Sequence, residues 1–136
     1  MCSSDLPAWV KLVIKAKGIE NCYGITDLSA VSGLPDGEHV MADGSKVITR
    51  DGFNYHEGGY LLSGNSTMDR IMYRAHNICG LSREEVGTLY TENPARCLNI
   101  TDRGKIEVGR RSDLAIMDDD YNVIKTIIKG KIFYEC

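Results

Sequence analysis

Histidine is scarce in this sequence. It occurs only at His39, His56 and His76, and no two stand in an HxH or HExxH pair, so spacing alone reveals no primary metal motif. The cysteines (Cys2, Cys22, Cys79, Cys97 and Cys136) are odd in number and include no CxxC pair. That argues for free thiols in a reducing cytoplasm. Excess positive charge is lacking too: the net charge is -3, which disfavours a nucleic-acid partner. No apolar run approaches the roughly 18 residues of a membrane helix, so no membrane partner is expected. The start, Met1-Cys2-Ser3-Ser4-Asp5, has neither a basic n-region nor an apolar h-region. No secretory signal is therefore expected, and the expected location is cytoplasmic. P-loop, dinucleotide and nucleophile-elbow motifs are all missing.

What remains is ordinary globular composition. With 136 residues, 43% hydrophobic and 26% charged, one core burying about two-thirds of the unfolded surface is expected. Ser4 or Asp5 can cap an opening helix with Pro7 in its first turn, where the missing N–H costs nothing. Trp9, Val10, Val13, Ile14 and Ala16 form its apolar stripe, and Gly18 takes a left-handed C-cap position. Cys22 to Thr26 reads as a short strand with Asp27 at its carboxyl end. A helix feeding a strand is an α/β pattern.

Residues 28–66 differ in kind. Gly33, Gly37, Gly44, Gly52, Gly58, Gly59 and Gly64 punctuate short runs such as Lys46-Val47-Ile48-Thr49. Asp43-Gly44 and Asp51-Gly52 are tight-turn signals, so this stretch reads as a β-hairpin excursion outside the main layer. Helices return from Ser66 or Thr67 to Gly80, with Met68, Ile71, Met72, Ala75 and Cys79 on one face. Ser82-Arg83-Glu84-Glu85 fits a capping box before a helix that buries Val86, Leu89 and Tyr90. Asn93-Pro94 opens another helical turn through Cys97. Leu114 to Met117, Val123 to Ile128 and Ile132 to Tyr134 read as closing strands, the last two joined by a turn at Lys129-Gly130.

Three places could carry chemistry. Asp27, a carboxylate entering a loop from a strand's carboxyl end, stands where α/β folds place catalytic groups. Its rival role is to cap the next turn through the Ser29 or Ala30 N–H. His76 and Cys79 share a helix face, yet two ligands make a poor metal site and their neighbours Met72 and Ala75 are apolar. His39 and His56 read as surface residues. The loop Gly59 to Thr67 precedes a helix and suits either an anion or sugar hydroxyl, or a plain connection.

Taken in order, several stretches resemble the N-acetylglucosamine-6-phosphate deacetylases of the amidohydrolase superfamily. Ala16-Lys17-Gly18, Ile25-Thr26-Asp27 and Ser32-Gly33-Leu34-Pro35-Asp36-Gly37 are similar to that family's A-K-G, V-T-D-A and A-G-L-P-D-G block. Leu62-Ser63-Gly64 with Thr67-Met68 resembles its L-[AS]-G-S-x-L-T-M segment, one residue shorter here. Asn93-Pro94-Ala95-Arg96, Gly104-Lys105-Ile106 with Gly109-Arg110-Arg111-Ser112-Asp113-Leu114, and Gly130 with Ile132-Phe133-Tyr134 resemble later signatures. Ser3-Ser4-Asp5 stands where the family has an Asp-Gly-x-His whose His contacts substrate, and Leu28 where Ala is usual.

The resemblance implies a fold class. Residues 1–100 would be the terminal portion of a TIM-like (β/α)8 barrel with a β-hairpin insertion. Residues 101–136 would be the C-terminal half of a small β-sandwich. Only the family's carboxyl-terminal third is matched, so its first seven strands and its metal-binding Glu and two His are missing. The implied reaction is hydrolysis of the acetamide of N-acetylglucosamine 6-phosphate to glucosamine 6-phosphate and acetate. The implied cofactor is a divalent metal ion of the zinc or iron class, its ligands absent from this chain. The implied partners are a small amino-sugar phosphate and, in the full-length family, further copies in a homo-oligomer. Asp27 would take a proton from the attacking water and deliver it to the leaving amine, while the Leu62, Ser63 and Gly64 backbone would line the sugar pocket. Two alternatives stand beside this: a truncated non-catalytic remnant or partner-binding module, and an amidohydrolase acting on another N-acyl or cyclic amide.

Overall fold

Pro7 opens the first helix of the computed structural model, which describes residues 7–136. The caps expected at Ser4 or Asp5, and the Ser3-Ser4-Asp5 departure, lie outside the described residues. Helix α1 (Pro7–Lys17) ends with Lys15 and Lys17 in its last turn, where cations favour the helix dipole. At Gly18, φ is +80° and the N–H returns to the Ile14 carbonyl at 2.8 Å. The buried stripe is narrower than expected. Val10 is buried, Val13 and Ile14 are half-buried, and Trp9 is 57% exposed, because no described element is laid over its side of the helix.

The strand expected at Cys22 to Thr26 does not form. A 3₁₀ turn (Ile19–Asn21) runs instead into extended chain, and an extended segment becomes a strand only when neighbours pair along it. Among the described residues its attachments are few. The Gly24 N–H donates to the Leu89 carbonyl at 3.0 Å, and just beyond, Leu28 makes a single parallel bridge to Gly64.

The glycine-punctuated region folds as a four-stranded antiparallel meander. Strands β1 (Gly37–Val40), β2 (Lys46–Arg50), β3 (Phe53–His56) and β4 (Leu61–Gly64) lie in chain order, a fuller structure than a single hairpin. Asp51 and Gly52 both have positive φ, 54° and 81°, the requirement of a two-residue turn whose twist matches the flanking strands. That turn sets Arg50 opposite Phe53 and Thr49 opposite Asn54; the next strand then sets Asn54 opposite Ser63.

The helical centre is built from α2 (Met68–Asn77), α3 (Arg83–Gly87) and α4 (Asn93–Cys97), with a π-helical turn (Thr88–Glu92) joining the last two. The capping box is present in full. The Ser82 hydroxyl accepts the Glu85 N–H at 3.1 Å, and the Glu85 carboxylate accepts the Ser82 N–H at 2.7 Å. Val10, Ile71, Ala75, Cys79, Leu81, Val86, Leu89 and Tyr90 make the core.

A second antiparallel sheet, β5 (Leu114–Met117), β6 (Val123–Ile128) and β7 (Lys131–Glu135), closes the chain in the order β5-β6-β7. It is pinned to the helices by Tyr121, whose ring enters their core from the β5–β6 turn. Arg83 Nη2 adds an ion pair to Asp119 at 2.9 Å. The molecule is thus an α/β structure with two separate sheets around a helical centre. No described helix is long and apolar enough to cross a membrane.

Candidate active site

Asp27 sits where the extended segment turns toward the meander. Its φ of 53° is left-handed, a conformation that Asp tolerates better than most residues. The side chain is exposed, and among the described residues its carboxylate accepts no hydrogen bond. The capping role is not seen, because the Ser29 N–H donates to Ser32 Oγ at 2.8 Å instead. Its main chain, in contrast, is held: the Gly64 N–H donates to the Asp27 carbonyl at 2.9 Å. Asp27 and the Leu62-Ser63-Gly64 stretch, distant in sequence, therefore meet at one place.

Beneath this contact lies a polar row that sequence reasoning missed. Thr49, Asn54 and Ser63 are all buried and sit side by side across β2, β3 and β4. Thr49 Oγ1 donates to Asn54 Oδ1 at 2.8 Å. Asn54 Nδ2 faces Ser63 Oγ at 2.9 Å, the Gly64 carbonyl at 3.0 Å, Ser32 Oγ at 3.2 Å and Ser29 Oγ at 3.4 Å. Ser63 Oγ donates to Ser29 Oγ, and Ser32 Oγ to the Gly64 carbonyl, both at 2.8 Å. Asn65 adds a further tie, its Oδ1 accepting the Gly33 N–H. Buried polar groups are tolerated when so paired. The available signal was the Asp51-Gly52 turn, which fixes the register that aligns the row.

Of the expected pocket residues, Ser63 and Gly64 are buried while Leu62 is exposed. His76 is committed to structure, its Nδ1 donating to the Leu81 carbonyl at 2.7 Å. Cys79 is buried, which pushes its thiol pKa up and disfavours the thiolate that a metal would need. His39 Nε2 donates to the Pro35 carbonyl at 2.8 Å, and His56 stacks on Tyr60. Among the described residues no three His, Cys, Asp or Glu side chains are grouped to hold a metal ion. The divalent cation implied by the family resemblance therefore does not fit these residues alone.

The geometry has counterparts in known proteins. Residues 9–133 match the Amidohydrolase family. The chain belongs to this family. This amidohydrolase chain is 31% identical over 129 residues to the N-acetylglucosamine-6-phosphate deacetylase of Bacillus subtilis, covering 94% of the chain and 32% of that protein. It is 27% identical to the deacetylase of the same name from Lysinibacillus sphaericus, covering 90% of the chain and again 32% of the relative. Among solved structures, the deacetylase of Thermotoga maritima superposes with a TM-score of 0.90 at 28% identity, covering 100% of this chain and 38% of that one. The chain thus spans about a third of the length of the relatives it matches.

Proposed function

We propose that this chain is part of an N-acetylglucosamine-6-phosphate deacetylase, with Asp27 as its proton shuttle and the Leu62-Ser63-Gly64 backbone lining the sugar pocket. The observation that carries the reading is the Gly64-to-Asp27 hydrogen bond, which joins the two stretches that the resemblance named independently. In the proposed reaction water attacks the acetamide carbonyl carbon while the Asp27 carboxylate takes one of its protons. The same proton passes to the amine nitrogen as the carbon–nitrogen bond breaks, leaving acetate and the amino-sugar phosphate. An exposed carboxylate with no hydrogen-bond partner among the described residues suits this work, because no bond must break before it accepts a proton.

The finer architecture belongs to the same proposal. Residues 1–100 would complete a barrel at its last strand, and residues 101–136 would supply half of a small sandwich. The coverage of about a third of the relatives supports this, as does the sparse pairing along Cys22 to Thr26 among the described residues. A second reading, a non-catalytic module, is favoured by the missing metal ligand set among the described residues. The experiment is a chimera in which residues 7–136 replace the matched stretch of the Thermotoga maritima deacetylase. Acetate release from N-acetylglucosamine 6-phosphate is expected from the chimera and not from the isolated chain. A folded but inactive chimera would favour the non-catalytic reading.

A further inference from the structure

Asn54 is fully buried in β3, and a buried carboxamide is costly unless its donors and acceptor are all used. Here they are used in a directed way. The Gly64 carbonyl can only accept, so the group facing it at 3.0 Å must be the Asn54 NH₂. Thr49 Oγ1, at 2.8 Å on the other side, then donates to Oδ1 and fixes the carboxamide against a flip. The NH₂ touches Gly64, one partner of the contact described above, and the loop that follows the other. It reaches β4 through the Gly64 carbonyl and Ser63 Oγ, and the loop after Asp27 through Ser32 Oγ and Ser29 Oγ. Gly64 is held at its carbonyl by Asn54 and Ser32, while its N–H holds the Asp27 carbonyl at 2.9 Å. The Asp27 side chain has no bond of its own among the described residues, so the placing of its carboxylate is inherited from this backbone.

We propose that Asn54 is the positioning residue for Asp27, acting through Gly64 and the Ser29–Ser32 loop. This rests on the reading of Asp27 as the proton shuttle. A proton-transfer group displaced by about 1 Å can lose up to about a hundredfold in rate. Asn54 is the buried side chain that faces all four groups, Ser29, Ser32, Ser63 and Gly64, by which the two flanks of its seat are joined.

Two measurements test it. In the full 136-residue chain, Asn54→Asp keeps the shape but removes the two donors, and Asn54→Ala removes the group. Amide hydrogen exchange at Gly64 is expected to quicken at least tenfold in both. The amide of Val86, bonded to the Ser82 carbonyl in α3, should hold its protection. Thr49→Val, which removes the donor to Oδ1 and leaves the NH₂ contacts with β4 in place, should give a smaller change at Gly64. Unchanged Gly64 exchange, or equal loss at Val86, overturns the proposal. In the chimera, Asn54→Asp is expected to lower kcat at least tenfold with KM within about twofold. A change carried by KM alone also overturns it. If the unsubstituted chimera folds but is inactive, the Asp27 reading fails while exchange at Gly64 still decides whether Asn54 seats that loop.

Discussion

Gly24 lies against the ring of Tyr90: a β-carbon on Gly24 would stand 2.0 Å from Tyr90 Cε1. The ring is buried. The Gly24 N–H, bonded to the Leu89 carbonyl, ties the same segment to the π-helical turn. The extended chain leading to Asp27 is therefore pressed against the helical core at a point where only glycine fits.

Gly24→Ala is accordingly expected to destabilise the chain by about 1–3 kcal/mol, the usual cost of overpacking. Urea unfolding followed by circular dichroism measures this. Adding Tyr90→Leu should recover part of the loss, since the clash is with that ring. A Gly24→Ala midpoint equal to the parent's would show that Tyr90 yields.

Asp27→Asn tests the proton shuttle. Asn is nearly isosteric and also tolerates left-handed backbone, but it cannot carry the proton. In the chimera the expected loss of turnover is on the order of 10²-fold or more, with the melting temperature little changed. Turnover close to the parent's would remove Asp27 from the mechanism.

Acid should weaken the fold through Asp113 and Asp118. The Lys129 N–H, with the Arg111 and Arg103 guanidiniums, holds the Asp113 carboxyl below its ordinary pKa. The Asn122 side chain and N–H do the same for Asp118. A carboxyl depressed by folding stabilises the folded state fully above its unfolded value of about 3.9. That contribution is lost as pH falls through the lower folded value. The urea midpoint should therefore drop as pH is lowered below about 4, and the drop should be smaller in Asp113→Asn. An identical acid profile in the variant would assign the loss elsewhere.

The isolated chain is expected to self-associate. Phe133 is 76% exposed and Ile132 59% exposed on β7, and Trp9 is 57% exposed on α1. Apolar surface of this kind, partly on a strand edge unpaired among the described residues, invites association. Gel filtration should show species larger than 15.1 kDa, and a hydrophobic fluorophore should bind. A sharp monomer peak with no dye binding would contradict this.

Much of the local structure was legible because it is decided locally. The Ser82–Glu85 box, the Gly80 stop, the Asp51-Gly52 turn and the Asn93-Pro94 start each depend on a few adjacent residues, and each is present. The strand at Cys22 to Thr26 failed because strands are made by neighbours, and the described residues supply almost none there. Trp9 failed for the same reason, since a stripe is buried only when something lies on it. Asp27 and Gly64 were each singled out from sequence, but their contact depends on register across three strands. Asn54 escaped notice because a polar residue inside a strand reads as solvent-facing until Thr49 and Ser63 are seen beside it.

The chain order of β1-β2-β3-β4 bears on how this site is assembled in time. Each pairing joins consecutive strands across a short turn, and such hairpins close in about 1–10 μs. The contact from Ser32 to Gly64 spans 32 residues, a costly closure for an open coil. Once the meander zips, its ends are fixed on the outer strands of one sheet, about 14 Å apart by strand spacing, and less loop entropy remains to be lost. The meander is thus a folded spacer that turns a long-range closure into a short one. The seat of Asp27 should form as soon as β4 pairs with β3, ahead of contacts that depend on the late three-stranded sheet.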